Sequence, residues 1–140
     1  MANVWQVLLV ASPAMLERMS LAEMMRSFGC SITVAPDFGR LQQADHCWNL
    51  LLVELDAFSE TELLASLQTA AANGAFEHLI LFGARLQVEL EPILQCGLSQ
   101  YIPVGKSLEV LYTALSQHFI AQGRIRELSS QLREASDIAL

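Results

Sequence analysis

A chain of 140 residues, of which 53% are hydrophobic and 16% charged, can bury a sizeable core, which excludes a disordered protein. The net charge of −7 and the absence of a run of basic residues exclude a direct nucleic-acid surface. No apolar run approaches the ~20 residues of a membrane helix, and no basic segment marks a signal peptide. We therefore expect a cytoplasmic protein that does not contact a membrane.

The first predicted elements are a strand, a helix and a second strand. Residues 4–10 form an apolar strand, and residues 14–28 carry apolar side chains at helical spacing. Gly29 is placed to end that helix in a left-handed conformation. Residues 31–35 are rich in β-branched side chains, which favours a short strand.

The middle of the chain repeats this alternation. A short helix is predicted over residues 39–45, and residues 50–53 form the most apolar strand. Ser59 and Glu62 have the spacing of a capping box, which predicts a helix that begins there and runs to about Ala72.

The last predicted elements lead into a long helix. Residues 78–82 form a strand, residues 88–96 a helix, and Tyr101 begins the fifth strand. Ser107 is expected to cap a helix that continues towards Leu140. Strands that are apolar without alternation are typical of parallel sheets covered on both faces. The predicted fold is therefore α/β, a flavodoxin-like, doubly wound sheet of five parallel strands with an extended C-terminal helix.

The C-terminal helix carries a second apolar pattern near its end. Apolar residues follow one another at steps of three and four, the spacing of a coiled coil of about two heptads, at Ile125, Leu128, Leu132, Ala135 and Ala139. We divide the chain into a domain at 1–121 and a helical extension at 122–140, and we expect the extension to pair two copies. The alternative is a helix folded back on its own domain.

Three cysteines, Cys30, Cys47 and Cys96, form no CxxC pair, and we expect buried, reduced thiols. His46 beside Cys47 lacks further partners of metal-ligand spacing in the sequence. We therefore predict neither a metal site nor a cofactor.

The order and spacing of these elements resemble CheY-like receiver domains of response regulators over roughly residues 4–120. The stretch 98–103, which follows Gly97, resembles the turn into the fifth strand of that family. Tyr101 matches the aromatic position that changes rotamer on activation in the family, so the resemblance implies a switch residue there. It also implies pairing through the fourth helix, fifth strand and fifth helix, where the matching residues are Leu90, Ile93, Tyr101, Leu111 and Leu115.

The resemblance further implies an active site of five groups at the carboxyl ends of the strands. Two acids that bind Mg²⁺ are matched here by Ala11 and Ser12, and the phosphorylated aspartate by Glu54. The hydroxyl residue after the fourth strand is matched by Gly83, and the lysine after the fifth strand by Val104. Phosphoryl transfer relies on metal and cationic groups to spread the developing charge, and these groups are missing.

We interpret the chain as a degenerate receiver, or pseudo-receiver: a phosphorylation-independent signalling domain, not an enzyme, that acts by dimerisation and by contact with a partner protein or an output domain. Glu54 is either a mimic of an acyl phosphate or a strand-end carboxylate that binds backbone amides. A receiver phosphorylated at an atypical acid, Asp56, stays open, as does a flavodoxin-like domain that binds a small ligand or nucleotide through Ser12. Lys106 lies two residues beyond the lysine position.

Overall fold

The computed structural model describes residues 5–42, 46–84, 90–105 and 107–138, with the backbone alone at Gln42, Leu90 and 124–138. Five strands form one sheet in the order β2-β1-β3-β4-β5, and every neighbouring pair is parallel. The strands are β1 (Trp5–Val10), β2 (Cys30–Ala35), β3 (Trp48–Glu54), β4 (Phe76–Gly83) and β5 (Leu98–Pro103). The predicted fold class is confirmed.

Helices flank the sheet, and none in the described part of the chain is long and apolar enough to cross a membrane. Two short 3₁₀ helices also occur, one before β3 and one after it. The helices are α1 (Pro13–Arg18), α2 (Leu21–Phe28), α3 (Glu60–Ala72), α4 (Leu90–Leu94) and α5 (Glu109–Ile138), and the 3₁₀ helices are Gly39–Gln42 and Leu55–Ala57.

The single helix predicted over residues 14–28 is wrong, because the chain breaks it into α1 and α2. Met19 is buried and has extended backbone angles (φ −94°, ψ 137°), which ends α1. Ser20 then begins α2: its carbonyl oxygen accepts the Met24 N–H at 3.0 Å, and its own N–H donates to the Tyr112 hydroxyl at 3.2 Å. The apolar spacing continues across the break, so the pattern alone could not reveal it.

The helix predicted over residues 39–45 is a single 3₁₀ turn at Gly39–Gln42 in the described chain, and residues 43–45 lie outside the described part. The Asp37 carboxylate accepts the Gly39 N–H at 2.9 Å and starts this turn. The helix predicted over residues 88–96 is shorter in the described chain, at Leu90–Leu94, and residues 88 and 89 lie outside the described part. The predicted end at Gly29 and the predicted start at Ser59 are confirmed. Gly29 ends α2 at φ +63°, and Ser59 Oγ accepts the Glu62 N–H at 3.2 Å at the start of α3.

The core lies on both faces of the sheet, since the central strands are buried except near their amino ends. Side chains of α3 and α4, among them Leu63, Leu67 and Ile93, pack on one face. Side chains of α1, α2 and α5, among them Met15, Met24 and Leu111, pack on the other. Both faces are thus covered, and the carboxyl ends of the strands are the edge at which functional groups can gather.

The cysteine prediction is confirmed for two residues and wrong for the third. Cys30 and Cys96 are buried and free, whereas Cys47 is free but exposed because it lies in the loop before β3. Burial raises the pKa of the Cys30 thiol to about 11, so this thiol stays protonated at neutral pH.

Candidate functional site

A cleft of about 540 Å³ lies at the carboxyl ends of β3, β4 and β5, beside α1. The order of the sheet reverses direction between β1 and β3, and ligand sites of open α/β sheets form at such a point. The lining residues come from several elements and are Met15, Arg18, Glu54, Asp56, Gly83, Ala84, Val104 and Gly105.

Glu54, the last residue of β3, joins that strand to the start of α1. Its side chain is only 6% exposed, and Oε1 accepts the Ser12 N–H at 2.8 Å. The Ser12 hydroxyl caps α1 by accepting the Met15 N–H at 3.3 Å. The backbone N–H and the hydroxyl oxygen of Ser12 are therefore both hydrogen-bonded within the fold. The carboxylate of Glu54 holds the loop after β1.

Asp56 approaches the end of β4 closely. The 3₁₀ turn after β3 carries it into the cleft, where Oδ2 accepts the Ala84 N–H at 2.7 Å. Gly83 lies directly beneath this carboxylate at φ +153°, and a Cβ atom on Gly83 would lie 2.7 Å from Asp56 Oδ2. Only glycine fits here without a shift, because any side chain meets both the unusual backbone angle and the carboxylate.

The Gly83 carbonyl oxygen accepts two hydrogen bonds from residues in and after β5. The Val104 N–H donates to it at 3.1 Å, and the Tyr101 hydroxyl donates at 3.0 Å. Val104 is buried, so its side chain belongs to the core. Burial, and secondly the charge of Asp56, raise the pKa of Tyr101. The phenol is therefore a neutral donor at physiological pH, and it is bonded to the backbone of Gly83, which lines the cleft.

Arg18 borders the cleft and was not singled out as a site residue in the sequence. It is the last residue of α1, and its guanidinium donates to the Gly105 carbonyl oxygen at 3.1 Å across 87 residues of sequence. No sequence motif identifies this arginine. It reaches the loop after β5 from the last position of α1, which ends before Met19. Lys106, considered from sequence as a cation near Glu54, lies outside the described residues.

The donor set does not fit the magnesium ion of receiver domains. Ala11 is fully buried and apolar, and the Ser12 hydroxyl oxygen already accepts the Met15 N–H as the helix cap. The Oε1 atom of Glu54 already accepts a backbone N–H, whereas Mg²⁺ requires oxygen ligands in near-octahedral array. Within the described chain, no group of three or more His, Cys, Asp or Glu side chains could hold a metal ion.

The structure places the matched residues at one end of the sheet. Glu54, Gly83 and Val104 line the cleft, Ser12 is bonded to Glu54, and Ala11 follows β1 and lies within the core. The surface predicted for pairing through the fourth and fifth helices is wrong in part, because Ile93, Leu111 and Leu115 are at most 1% exposed and belong to the core. Among the described side chains of these helices, the large apolar ones that are exposed are Leu94, Val110 and Ile120. The side chain of Leu90 lies outside the described part.

Solved structures with the same architecture include receiver domains. The receiver domain of sensor histidine kinase PA1611 from Pseudomonas aeruginosa PAO1, which has magnesium in its active-site cleft, is 21% identical; the match covers 84% of this chain and 98% of that one, with a TM-score of 0.58. A CheY-like receiver domain protein from Methanospirillum hungatei JF-1 is 16% identical, with 87% and 98% covered and a TM-score of 0.64. No protein-family model and no curated protein matches the chain. The likenesses establish the CheY-like fold.

Proposed function

We propose that the chain is a receiver-like signalling domain that works without phosphorylation, by binding protein partners. Solved receiver domains share its fold, which supports a two-component signalling role and not that of a conventional enzyme. The cleft supports the loss of phosphoryl chemistry. One observation carries the argument most: the carboxylate at the acceptor position is 6% exposed and accepts the Ser12 N–H at 2.8 Å.

Three further groups of the cleft agree with this role. An acceptor must reach a phosphoryl donor, and metal and cationic groups must neutralise the transferred group. Here Gly83 provides no hydroxyl, Val104 provides no ammonium, and Asp56 Oδ2 accepts the Ala84 N–H at 2.7 Å. We infer that Glu54 and Asp56 act as fixed carboxylates that hold neighbouring loops. A phosphoryl donor supplied with Mg²⁺ is therefore expected to leave the mass of the chain unchanged.

The last helix supports an output by dimerisation. At 1.5 Å per residue, the 30 residues of α5 extend about 45 Å. The strands of 6 to 8 residues extend only about 20–27 Å, so α5 is much longer than the sheet it packs on. We propose a domain at 1–121 and an extension at 122–140 that pairs two copies through Ile125, Leu128, Leu132 and Ala135. The side chains of these four residues lie outside the described part.

Mass in solution tests the dimer. Light scattering of the full chain at micromolar concentration is expected to give twice the chain mass, and a chain ending at Gly123 the mass of one copy. Leu132→Lys in the full chain is expected to give one copy as well, because it places a charge in the apolar seam. Gln131→Lys, one position away, adds the same charge outside the seam and is the control. A monomeric full chain, or a Leu132→Lys dimer as stable as the control, would reject the pairing.

A small-ligand function is less well supported by the same cleft. Its volume of about 540 Å³ is within the range of ligand pockets. However, Glu54 and Asp56 oppose a phosphate, Ser12 caps α1, and α1 has only six residues. Native mass spectrometry of the purified chain separates the two functions, because a co-purifying small molecule would favour the ligand-binding one.

A further inference from the structure

An aromatic cluster lies at the amino end of the sheet, away from the cleft. Trp5 begins β1, and its ring stacks on His78 of β4 at a centroid distance of 6.0 Å and an interplanar angle of 14°. His118 of α5 meets Trp5 edge-on at 6.2 Å and His78 at 5.4 Å. Phe119, the next residue of α5, lies 5.7 Å from Trp5. The two histidines thus connect the middle of α5 to two strands.

The surroundings of the His118 ring disfavour its protonation. Its Nε2 atom is buried and meets no hydrogen-bond partner among the described residues. A protonated ring would need a partner for that N–H, and an unpaired buried charge is costly. Burial, and secondly the neighbouring His78, lower the pKa of His118. A positive charge on His118 would be placed beside the His78 ring, so the neutral form of His118 is favoured.

The groups around His118 provide no compensating acid in the described chain. From β1 it meets Trp5, and from β4 it meets His78. Glu77, next to His78, is exposed, and successive strand residues point to opposite faces. From α2, Phe28 stacks on Phe119 at 5.3 Å.

The other titratable groups of the packed elements lie apart from the ring or stay neutral. Glu23 and Arg26 of α2 are exposed to solvent. Cys30, paired in register with Trp5, is a buried thiol that stays neutral because its pKa is about 11. His118 therefore has His78 as its titratable neighbour, and none of these groups would stabilise a positive charge on the His118 ring.

We propose that His118, packed on Trp5 and His78, forms a proton-sensitive clasp: the neutral His118 ring holds the middle of α5 against the amino ends of β1 and β4, and protonation of this ring releases it. The clasp uses side chains at the end of the sheet opposite the cleft, so it does not depend on the proposed loss of phosphorylation. Because α5 continues to Ile138, release of its middle would alter how the helix presents its C-terminal half.

The direction of the pH effect follows from the lowered pKa. In the released state His118 regains its ordinary pKa of 6.5, whereas in the docked state it protonates only at lower pH. Above pH 6.5 the His118 ring is neutral in both states, and docking has its full stability. As the pH falls from 6.5 through the lowered pKa, the released state is protonated first, so the stability of the docked state decreases. The released state binds the extra proton, and each pH unit in that window changes the docking equilibrium by up to about tenfold.

Amide hydrogen exchange of the full chain tests the clasp, after rates are corrected for the intrinsic effect of pH. Between about pH 7.5 and about pH 5.5, exchange around His118 in α5 is expected to rise by up to about tenfold. Exchange in β3 is expected to change far less, because release is local. His118→Phe keeps a ring of similar size without a proton site and is expected to abolish the rise. His78→Phe is expected to reduce it.

His46→Gln is the matched control, because His46 is exposed and contacts Trp48 away from the cluster. This variant is expected to keep the full pH response. A response that persists in both His118→Phe and His78→Phe would overturn the proposal. So would equal loss of protection in β3 and α5, or a wild-type chain without any change over this range. If His118→Phe fails to fold, His78→Phe and the wild-type titration still decide the matter.

Discussion

Gly83→Ser, which adds the hydroxyl that receiver domains carry after the fourth strand, is expected to reduce the free energy of unfolding by about 2–5 kcal/mol. The backbone at Gly83 has φ +153°, an angle that costs about 1–3 kcal/mol in a residue with a side chain. The new Cβ would also lie 2.7 Å from Asp56 Oδ2 and 3.3 Å from Leu55 Cβ. Asp56 could rotate away only by giving up its hydrogen bond to the Ala84 N–H.

Urea unfolding of matched variants measures this effect. Gly105→Ser is the control, because no atom lies within 4 Å of a Cβ built at Gly105 and its φ is not positive. It is expected to change stability by no more than about 0.5 kcal/mol. Adding Asp56→Ala to Gly83→Ser removes the clash and leaves the backbone strain, so the double variant is expected to lose less than the sum of the single changes. A Gly83→Ser protein as stable as the Gly105→Ser protein would contradict this account.

Glu54→Met is expected to reduce the free energy of unfolding by about 1–3 kcal/mol, because it leaves the Ser12 N–H without its acceptor. Glu54→Gln keeps a side-chain oxygen within reach of that N–H and is expected to cost much less. The order of the two variants distinguishes the two interpretations of Glu54. If the carboxylate holds the loop after β1, the hydrogen bond matters more than the charge. If it mimics a phosphoryl group, removing the charge alone should change the dimer affinity.

The same urea series, together with the mass in solution, decides between them. Glu17→Met removes an exposed acid of α1 and is the control, with an expected change of no more than about 0.5 kcal/mol. Glu54→Gln is expected to dimerise like the unmodified chain. Two results would show that the negative charge of Glu54 is needed and would argue against a purely structural carboxylate. One is a Glu54→Gln variant as unstable as Glu54→Met, and the other is a Glu54→Gln variant with clearly weakened dimerisation.

The fold could be predicted from sequence because its signals are local and mutually consistent. Strands buried on both faces read as unbroken apolar runs, as at 50–53, and Gly29 and Ser59 mark helix ends with their own chemistry. The break between α1 and α2 could not be predicted, because its apolar spacing matches one continuous helix. The Ser20 N–H is satisfied by the Tyr112 hydroxyl, 92 residues away, and local patterns carry no information about such a contact.

The site could be predicted only in part, for a related reason. The resemblance identified which positions lack acids, hydroxyl and ammonium, since those are identities of single residues. It could not show that Glu54 holds the Ser12 amide, that Asp56 holds the Ala84 amide, or that Arg18 reaches Gly105. Each of these contacts joins residues more than 25 positions apart, so local sequence patterns carry no information about it. The pairing of His78 with His118 was missed because the two lie on different elements.

Incubation of the full chain with acetyl phosphate and Mg²⁺, followed by intact mass spectrometry, tests the central claim most directly. A receiver domain that retains its acids, in the same tube, shows that the donor is active. The account predicts an unchanged mass for this chain, because the acceptor position is buried and bonded and the metal ligands are absent. A stoichiometric gain of one phosphoryl group would contradict it, and loss of that gain in Asp56→Asn or in Glu54→Gln would identify the acid that carries it.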